Sequence, residues 1–277
     1  MVSKFYVEQR TPPLPPRETL PTMYDLPSED PKEPGLPDEF HALQPDLLSA
    51  TLHLPDDKDN YFTGTDLNLY YDVKHPQWYK RPDWFLSIGV PRLYEQRDMR
   101  LSYVVWQEGA SPFVAVELLS PGTDKEDLGE TEATSGGPPT KWDVYEKILR
   151  IPYYIIFDRY TDQLRAFQLT AERYEPIPLV DNKIWFPKLK LGIGTWQGSY
   201  KGIERLWLRW YGASGQWLPA PEERAEAEKK RAEAEAERAE AEAKRAEVEM
   251  QRAQTAEAKL AALEERLRAQ GIDPDNL

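Results

Sequence analysis

The chain has 277 residues, of which 40% are hydrophobic, and its formal net charge is −13. Such an acidic chain is not expected to coat nucleic acid without sequence preference, since that mode of binding needs a basic surface. It has no cysteine, which excludes disulfides and thiolate metal sites. The chain contains no run of about 18 apolar residues, so no membrane span is predicted, and we expect no signal peptide because the first residues form no continuous apolar segment. We therefore expect a cytoplasmic protein.

The first 40 residues predict an arm rather than a folded element. This segment, 1–40, is rich in proline and acidic residues and has no helical or strand period. Such composition favours an extended Pro-rich N-terminal arm. Its PPLPP stretch also suits a ligand for an aromatic groove, although an arm that lies on the domain or in solvent is the simpler interpretation.

The middle of the chain, residues 41–220, predicts a globular α/β domain. Apolar runs of strand length occur in order along it. They are LNLYYDV (67–73), WFLSIGV (84–90), FVAVELLS (113–120), YYIIFD (153–158) and, as a hairpin partner of the last, QLRAFQL (163–169).

One helix is predicted between two of these strands. KWDVYEKILR, residues 141–150, has helical spacing, with Thr140 as its N-cap. A strand–helix–strand order predicts a parallel crossover. The glycine-rich, acidic interval from Ser120 to Pro139 is a candidate active-site loop. We therefore predict a central mixed sheet flanked by helices.

The last segment, residues 221–277, predicts a single long helix. From Arg224 the sequence repeats every seven residues and is built from Ala, Glu, Lys and Arg, which are strong helix formers. The heptad indicates a coiled coil, but its seam is mostly alanine until Leu260, Leu263 and Leu267. A solvated single helix and a helix that associates with itself or with a partner therefore stay open.

One carboxylate stands out because it lies inside an apolar strand. Glu117 interrupts the run FVAVELL, and a buried charge is costly unless it is paired or holds a metal. Asp83 opens the neighbouring strand, and Lys141 opens the predicted helix. Two carboxylates suit a hard cation such as Mg²⁺, and a lysine can stabilise developing negative charge. The plainer alternatives are a turn residue for Asp83 and a solvated surface residue for Lys141.

Three stretches together resemble a known family. RPDWFLSIGV, PFVAVELLSPGTDKED and KWDVYEKILRIPYYIIFD resemble the Uma-two family of restriction-endonuclease-like proteins, within the PD-(D/E)XK nuclease superfamily. The resemblance spans roughly Asp66 to Trp210. It implies a restriction-endonuclease-like core, an endonuclease that acts on DNA with Mg²⁺ or Mn²⁺, and a homodimer.

The resemblance also assigns the main site residues. Pro82-Asp83 matches the PD element and Glu117 the second acid, so both are expected to be catalytic residues and metal ligands. The superfamily lysine should stand two residues after that acid, where this chain has Leu119. In the family the lysine comes from the following helix, which makes Lys141 the match and leaves Lys125 as its rival.

Two supporting residues follow from the same comparison. Tyr145 stands one helical turn after Lys141 and should share its face. Asp127 lies in the loop where related sequences carry an acid, although the insertion TEATSGGPPT separates it from Lys141. The three histidines, His41, His53 and His75, match no zinc spacing.

The sequence thus leaves two functions to weigh. The first is a metal-dependent DNA endonuclease that hydrolyses phosphodiester bonds through Asp83, Glu117 and Lys141. The alternative is a catalytically degenerate binding or scaffold protein, which keeps the nuclease fold and oligomerises through its C-terminal helix. The displaced lysine and the acidic charge favour the alternative, whereas the order of the motifs favours the enzyme.

Overall fold

The computed structural model describes residues 38–54, 60–120, 124–132 and 136–271. Almost all of the predicted arm, 1–40, lies outside the described residues. The chain divides into two compact units, one that ends at Leu218 and one that begins at Pro219.

The core of the first unit is a six-stranded mixed sheet. Its strands are β1 (Tyr61–Thr65), β4 (Trp84–Ile88), β6 (Val114–Leu118), β7 (Tyr153–Asp158), β8 (Gln163–Thr170) and β9 (Arg173–Pro176). They lie in this order across the sheet, and only β6 and β7 are parallel to each other. The α/β class with a central mixed sheet is therefore confirmed.

Every residue of β6 is buried, as expected for the apolar run that contains Glu117. The parallel pairing of β6 with β7 and the hairpin of β7 with β8 are both confirmed. Two small elements stand between β4 and β6, namely β5 (Tyr103–Val104) and α2 (Val105–Glu108). The short helix α3 (Asp124–Asp127) follows β6 within the predicted loop.

The helix of the crossover changes type after one turn. It begins as α4 (Lys141–Asp143) and continues as a π-helix over Val144–Ile148. The Oγ1 atom of Thr140 accepts a hydrogen bond from the amide of Asp143 at 3.1 Å, so the predicted N-cap is confirmed. Wider π turns often lie at functional sites, and this one presents Tyr145 to the buried interior.

Two smaller sheets complete the unit. One is antiparallel, in the order β10–β11–β12, and the other has the order β3–β2–β5. The run predicted as a strand over 67–73 forms only two residues of strand. The remaining bounds are β2 (Leu69–Tyr70), β3 (Tyr79–Lys80), β10 (Lys183–Phe186), β11 (Leu191–Tyr200) and β12 (Ile203–Gly212).

An N-terminal helix that was not predicted packs on β12. The helix α1 (Glu39–Thr51) begins after Asp38, whose side chain accepts a hydrogen bond from the amide of His41. Gln44 fixes the contact, because its amide nitrogen donates to the carbonyl of Leu208 at 2.8 Å and its oxygen accepts from the Leu208 amide at 2.7 Å. Proline is unusual inside a helix, and Pro45 hid this element from a periodicity argument.

The second unit contains the predicted long helix. It is confirmed as α5 (Pro221–Ala269), 49 residues with no buried side chain. Ion pairs four residues apart lie along it, such as Lys230 with Glu226 at 2.7 Å, and each such pair adds little stability. No helix among the described residues is long and apolar enough to cross a membrane.

Candidate active site

The two strand acids meet at one end of the β4–β6 pair. Trp84 pairs with Val116, which brings Asp83 and Glu117 side by side. The amide of Asp83 donates to Oε2 of Glu117 at 3.3 Å, and the amide of Leu118 donates to Oδ2 of Asp83 at 2.6 Å. Each carboxylate therefore binds the backbone of the other's strand, so the two side chains converge.

Lys141 reaches the same place from the crossover helix. Its Nζ atom lies 3.2 Å from Oε2 of Glu117 and 2.5 Å from Oδ1 of Asp127. All three side chains are buried. The insertion that separates Asp127 from Lys141 in sequence thus does not separate them in space. A lysine in the first turn of a helix is mildly disfavoured by the helix dipole, and the two carboxylates compensate for this.

Two tyrosines complete the buried cluster. The Tyr145 hydroxyl donates to Oε1 of Glu117 at 2.9 Å, and the Tyr154 hydroxyl donates to the carbonyl of Asp127 at 2.9 Å. Burial raises the pKa of both hydroxyls well above the usual value for tyrosine. Both therefore stay protonated and remain donors. Tyr145 and Lys141 both contact Glu117, so they share the face that the helical spacing predicts.

Lys125 has a different environment from Lys141. It belongs to the same short helix as Asp127, but its side chain is exposed, whereas that of Asp127 is buried. Of the two candidate lysines, Lys141 is the one that contacts Glu117.

The charges in the cluster do not balance. Three carboxylates, Asp83, Glu117 and Asp127, surround the single lysine. Burial raises the pKa of Asp83, and it raises the pKa of Glu117 well above the usual range, although Lys141 opposes both shifts. Burial by itself lowers the pKa of Lys141, but Asp127, Glu117 and Asp83 reverse this and hold it well above its usual value. The lysine is therefore charged, and the site carries excess negative charge whenever its acids are ionised.

The resemblance seen in the sequence implies a divalent cation, Mg²⁺ or Mn²⁺, at this site. Among the described residues no group of three or more His, Asp or Glu side chains is arranged to hold a metal. The two strand acids offer carboxylate oxygens, the ligand type that Mg²⁺ and Mn²⁺ prefer. No described residue donates a hydrogen bond to Oδ1 of Asp83. A hard cation with two protein ligands, its other positions filled by water and substrate, fits this excess charge and free oxygen.

One histidine of the site was missed by sequence analysis. His41 is buried, and its Nε2 atom lies 2.9 Å from the carbonyl of Leu118, next to Glu117. A search for zinc spacing could not find it, because it is isolated in sequence from other ligands. The signal present is Asp38 three residues before His41, the spacing of an N-cap contact.

We expect the variant Glu117→Gln to be more stable than the wild type in metal-free buffer. Because the folded-state pKa of Glu117 is raised, the wild type loses stability as the pH rises from the unfolded to the folded pKa, and a neutral amide does not. We expect a gain on the order of 1 kcal/mol near pH 8.5, the usual size of the effect of a single substitution. The gain should be smaller near pH 5.5. Urea unfolding at both pH values measures it.

The exposed Glu130 provides the matched control. Glu130→Gln should leave the free energy of unfolding within about 0.5 kcal/mol of the wild type. A Glu117→Gln variant that is less stable than the wild type near pH 8.5 would contradict the electrostatic interpretation.

Comparison with known proteins identifies the family. The model described as "Uma2: Putative restriction endonuclease" matches residues 15–196, which is more than half of the chain. The chain belongs to the Uma2 family. The matched range contains all the site residues described above, and it ends before the long C-terminal helix.

A solved structure gives a weaker similarity. A protein from Anabaena variabilis ATCC 29413, described as "a putative nuclease belonging to DUF820", is 13% identical to this Uma2 chain, with a TM-score of 0.39. The alignment covers 56% of this chain and 76% of that one. Similarity at this level does not extend to function. No curated protein sequence matches the chain.

Proposed function

We propose that this Uma2 protein is a metal-dependent endonuclease that hydrolyses phosphodiester bonds in DNA. The observation that carries the proposal is the convergence of the half-buried Asp83 with the buried Glu117 and Lys141 at the end of the β4–β6 pair. Family membership supports the same reaction class. A cytoplasmic location is part of the proposal, and a chain without cysteine is compatible with the reducing environment there.

The roles follow from the contacts. Asp83 and Glu117 would hold Mg²⁺ or Mn²⁺, which supplies a Lewis acid for the phosphate and lowers the pKa of a bound water. Lys141 places a compact positive charge beside Glu117, where it can stabilise negative charge that develops on a phosphate oxygen. Tyr145 fixes the orientation of Glu117 through its hydroxyl, and Asp127 holds the ammonium group of Lys141 in place.

The direct test is cleavage of DNA by the purified full-length chain. Supercoiled plasmid, linear duplex and single-stranded DNA should be incubated with Mg²⁺ or Mn²⁺, because the site does not reveal which form is preferred. We expect cleavage of at least one substrate, and its loss when EDTA is present. Failure to cleave any of the three with either ion would contradict the proposal.

A second role, self-association through the C-terminal helix, is favoured by a separate observation. Two leucines near its end, Leu260 and Leu263, are more than half exposed. Together with Leu267 they follow the three- and four-residue spacing that is typical of a coiled-coil seam. We propose that the helix joins two copies of the chain, which suits either a dimeric nuclease or a scaffold.

Deletion of residues 222–277 tests this second role. We expect the full chain to be a dimer and the truncated chain a monomer when mass is measured by light scattering. Because the domain keeps its own core, the truncated chain should still unfold cooperatively. An unchanged subunit count after deletion would exclude the helix as the association element.

A further inference from the structure

A buried histidine connects the N-terminal helix to the candidate active site. The Nε2 atom of His41 lies 2.9 Å from the carbonyl oxygen of Leu118, and its Nδ1 atom lies 2.9 Å from Oδ1 of Asp38. The side chain of His41 is 2% exposed. This contact therefore crosses from the start of α1 to the end of the strand that bears Glu117.

Both ring nitrogens of His41 face oxygen atoms that can only accept hydrogen bonds. A carbonyl oxygen and a carboxylate oxygen each require a donor, so both nitrogens must carry a proton. Burial alone would lower the pKa of His41, but the bond to Asp38 and the charge of Asp83 reverse this and raise it. The ring is therefore a cation that donates at both ends.

Asp38 is fixed in turn by a second cation. The guanidinium of Arg159, just after β7, lies 2.5 Å from Oδ2 of Asp38. Burial raises the pKa of Asp38, but His41 and Arg159 outweigh it and hold this pKa below its usual value. The imidazole is thus oriented by a charged partner on the side away from Leu118.

Leu118 is the residue through which these contacts reach the site, because its carbonyl and its amide lie in two successive peptide groups that share its Cα atom. Its carbonyl accepts from His41, and its amide donates to Oδ2 of Asp83 at 2.6 Å. Glu117 is the preceding residue, and its carboxylate accepts from the amide of Asp83. A shift of the Leu118 backbone would therefore move the carboxylate of Asp83 relative to that of Glu117.

We propose that His41 is a positioning residue, which by its bond to the Leu118 carbonyl sets the spacing of the Asp83 and Glu117 carboxylates. This inference rests on the proposed metal-binding function of those two acids. Groups that orient metal ligands from behind commonly change metal affinity by about 10- to 100-fold when they are replaced. If His41 only holds α1 against the sheet, its replacement would change the free energy of unfolding and leave metal affinity unchanged.

Two amide variants separate these roles. The side-chain nitrogen of Gln can occupy the place of Nε2 and keep the bond to Leu118, whereas Asn is one methylene shorter and cannot reach it. The matched control is Gln44→Leu, because Gln44 is buried on the same helix and also bonds to a strand backbone, but that of β12.

The measurement is titration of the full-length chain with Mn²⁺ by calorimetry, together with thermal unfolding. We expect His41→Gln to bind Mn²⁺ within about threefold of the wild type and His41→Asn to bind it about tenfold or more weakly. Gln44→Leu should lower the unfolding temperature and leave Mn²⁺ affinity unchanged. His41→Gln and His41→Asn both keep a polar amide and differ by one methylene. Their comparison therefore does not require that a variant with an apolar side chain at this buried position can fold.

The outcomes distinguish this inference from the proposed function. If the wild type binds no Mn²⁺, both are overturned. If it binds Mn²⁺ but His41→Asn binds it equally well, only the positioning role is overturned. An equal loss in His41→Gln and His41→Asn would also overturn it, as would a loss in Gln44→Leu of the same size.

Discussion

Replacement of Asp83 by Asn or of Glu117 by Gln is expected to lower the rate of metal-dependent DNA cleavage by about a hundredfold or more. Each change removes the charge of a carboxylate that would hold the cation. A bound metal is worth several kcal/mol of transition-state stabilisation, and each 1.4 kcal/mol corresponds to about tenfold in rate. Initial rates under saturating Mg²⁺ measure the loss.

Asp158 offers a matched control for these acids. It ends β7, the parallel neighbour of β6, and its carboxylate accepts hydrogen bonds from the amide of Tyr160 at 2.8 Å and the hydroxyl of Thr161 at 2.7 Å. Asp158→Asn should therefore leave the cleavage rate within about twofold of the wild type, since Asn keeps one acceptor oxygen for the amide of Tyr160 and is common in turns. If the Asp83 and Glu117 variants cleave as fast as the wild type, the catalytic assignment is wrong.

The variant Lys141→Met is expected to lose both activity and stability. Removal of one partner from a buried ion pair costs about 3–5 kcal/mol, because a charge is left without compensation. In Lys141→Met, both Asp127 and Glu117 would lose their positively charged partner. The loss of stability should be largest near pH 8.5 and smaller at low pH, where the carboxyls take up protons. The rate of cleavage should fall by about 10²- to 10³-fold.

Lys125→Met is the control, because Lys125 is exposed. It should leave the free energy of unfolding and the cleavage rate close to those of the wild type. Cleavage by Lys141→Met is to be measured at a temperature at which circular dichroism shows the variant to be folded. If Lys141→Met cleaves DNA and Lys125→Met does not, the catalytic lysine is Lys125 and not Lys141.

The sequence predicts the strands of the site well, because strands buried on both faces form continuous apolar runs. The strands that carry the site, β4, β6 and β7, are apolar on both faces, so they appear as continuous hydrophobic runs. A lone acid in such a run is costly, which is why Glu117 could be singled out. Of its contacts, Lys141 was indicated by the resemblance and by its place at the start of the helix, and Tyr145 by its position one helical turn later.

The rest of the site depends on contacts between residues distant in sequence. The pairing of Asp127 with Lys141 spans an insertion whose path cannot be deduced from composition. His41 lies on a helix whose proline obscured the periodicity, and it acts on a residue 77 positions away. Neither contact leaves a local pattern, since each depends on how loops and helices pack against the sheet.

Leu119 stands at the position where the resemblance predicts a lysine. This leucine is 7% exposed and belongs to the same hydrophobic core as Tyr145 and Tyr154. A lysine among these apolar side chains would be buried at a cost. Lys141 is equally buried, but its ammonium group lies between the carboxylates of Glu117 and Asp127, which is why the proposed site takes its lysine from the helix.

The most direct test of the account is a crystal of the full-length chain soaked in Mn²⁺ and measured at wavelengths where manganese scatters anomalously. We expect an anomalous peak bound by the carboxylates of Asp83 and Glu117, with oxygen distances of about 2.1 Å, and with Lys141 beside it. If no anomalous peak lies at these two acids, whether or not Mn²⁺ binds elsewhere in the crystal, the metal-dependent site is contradicted.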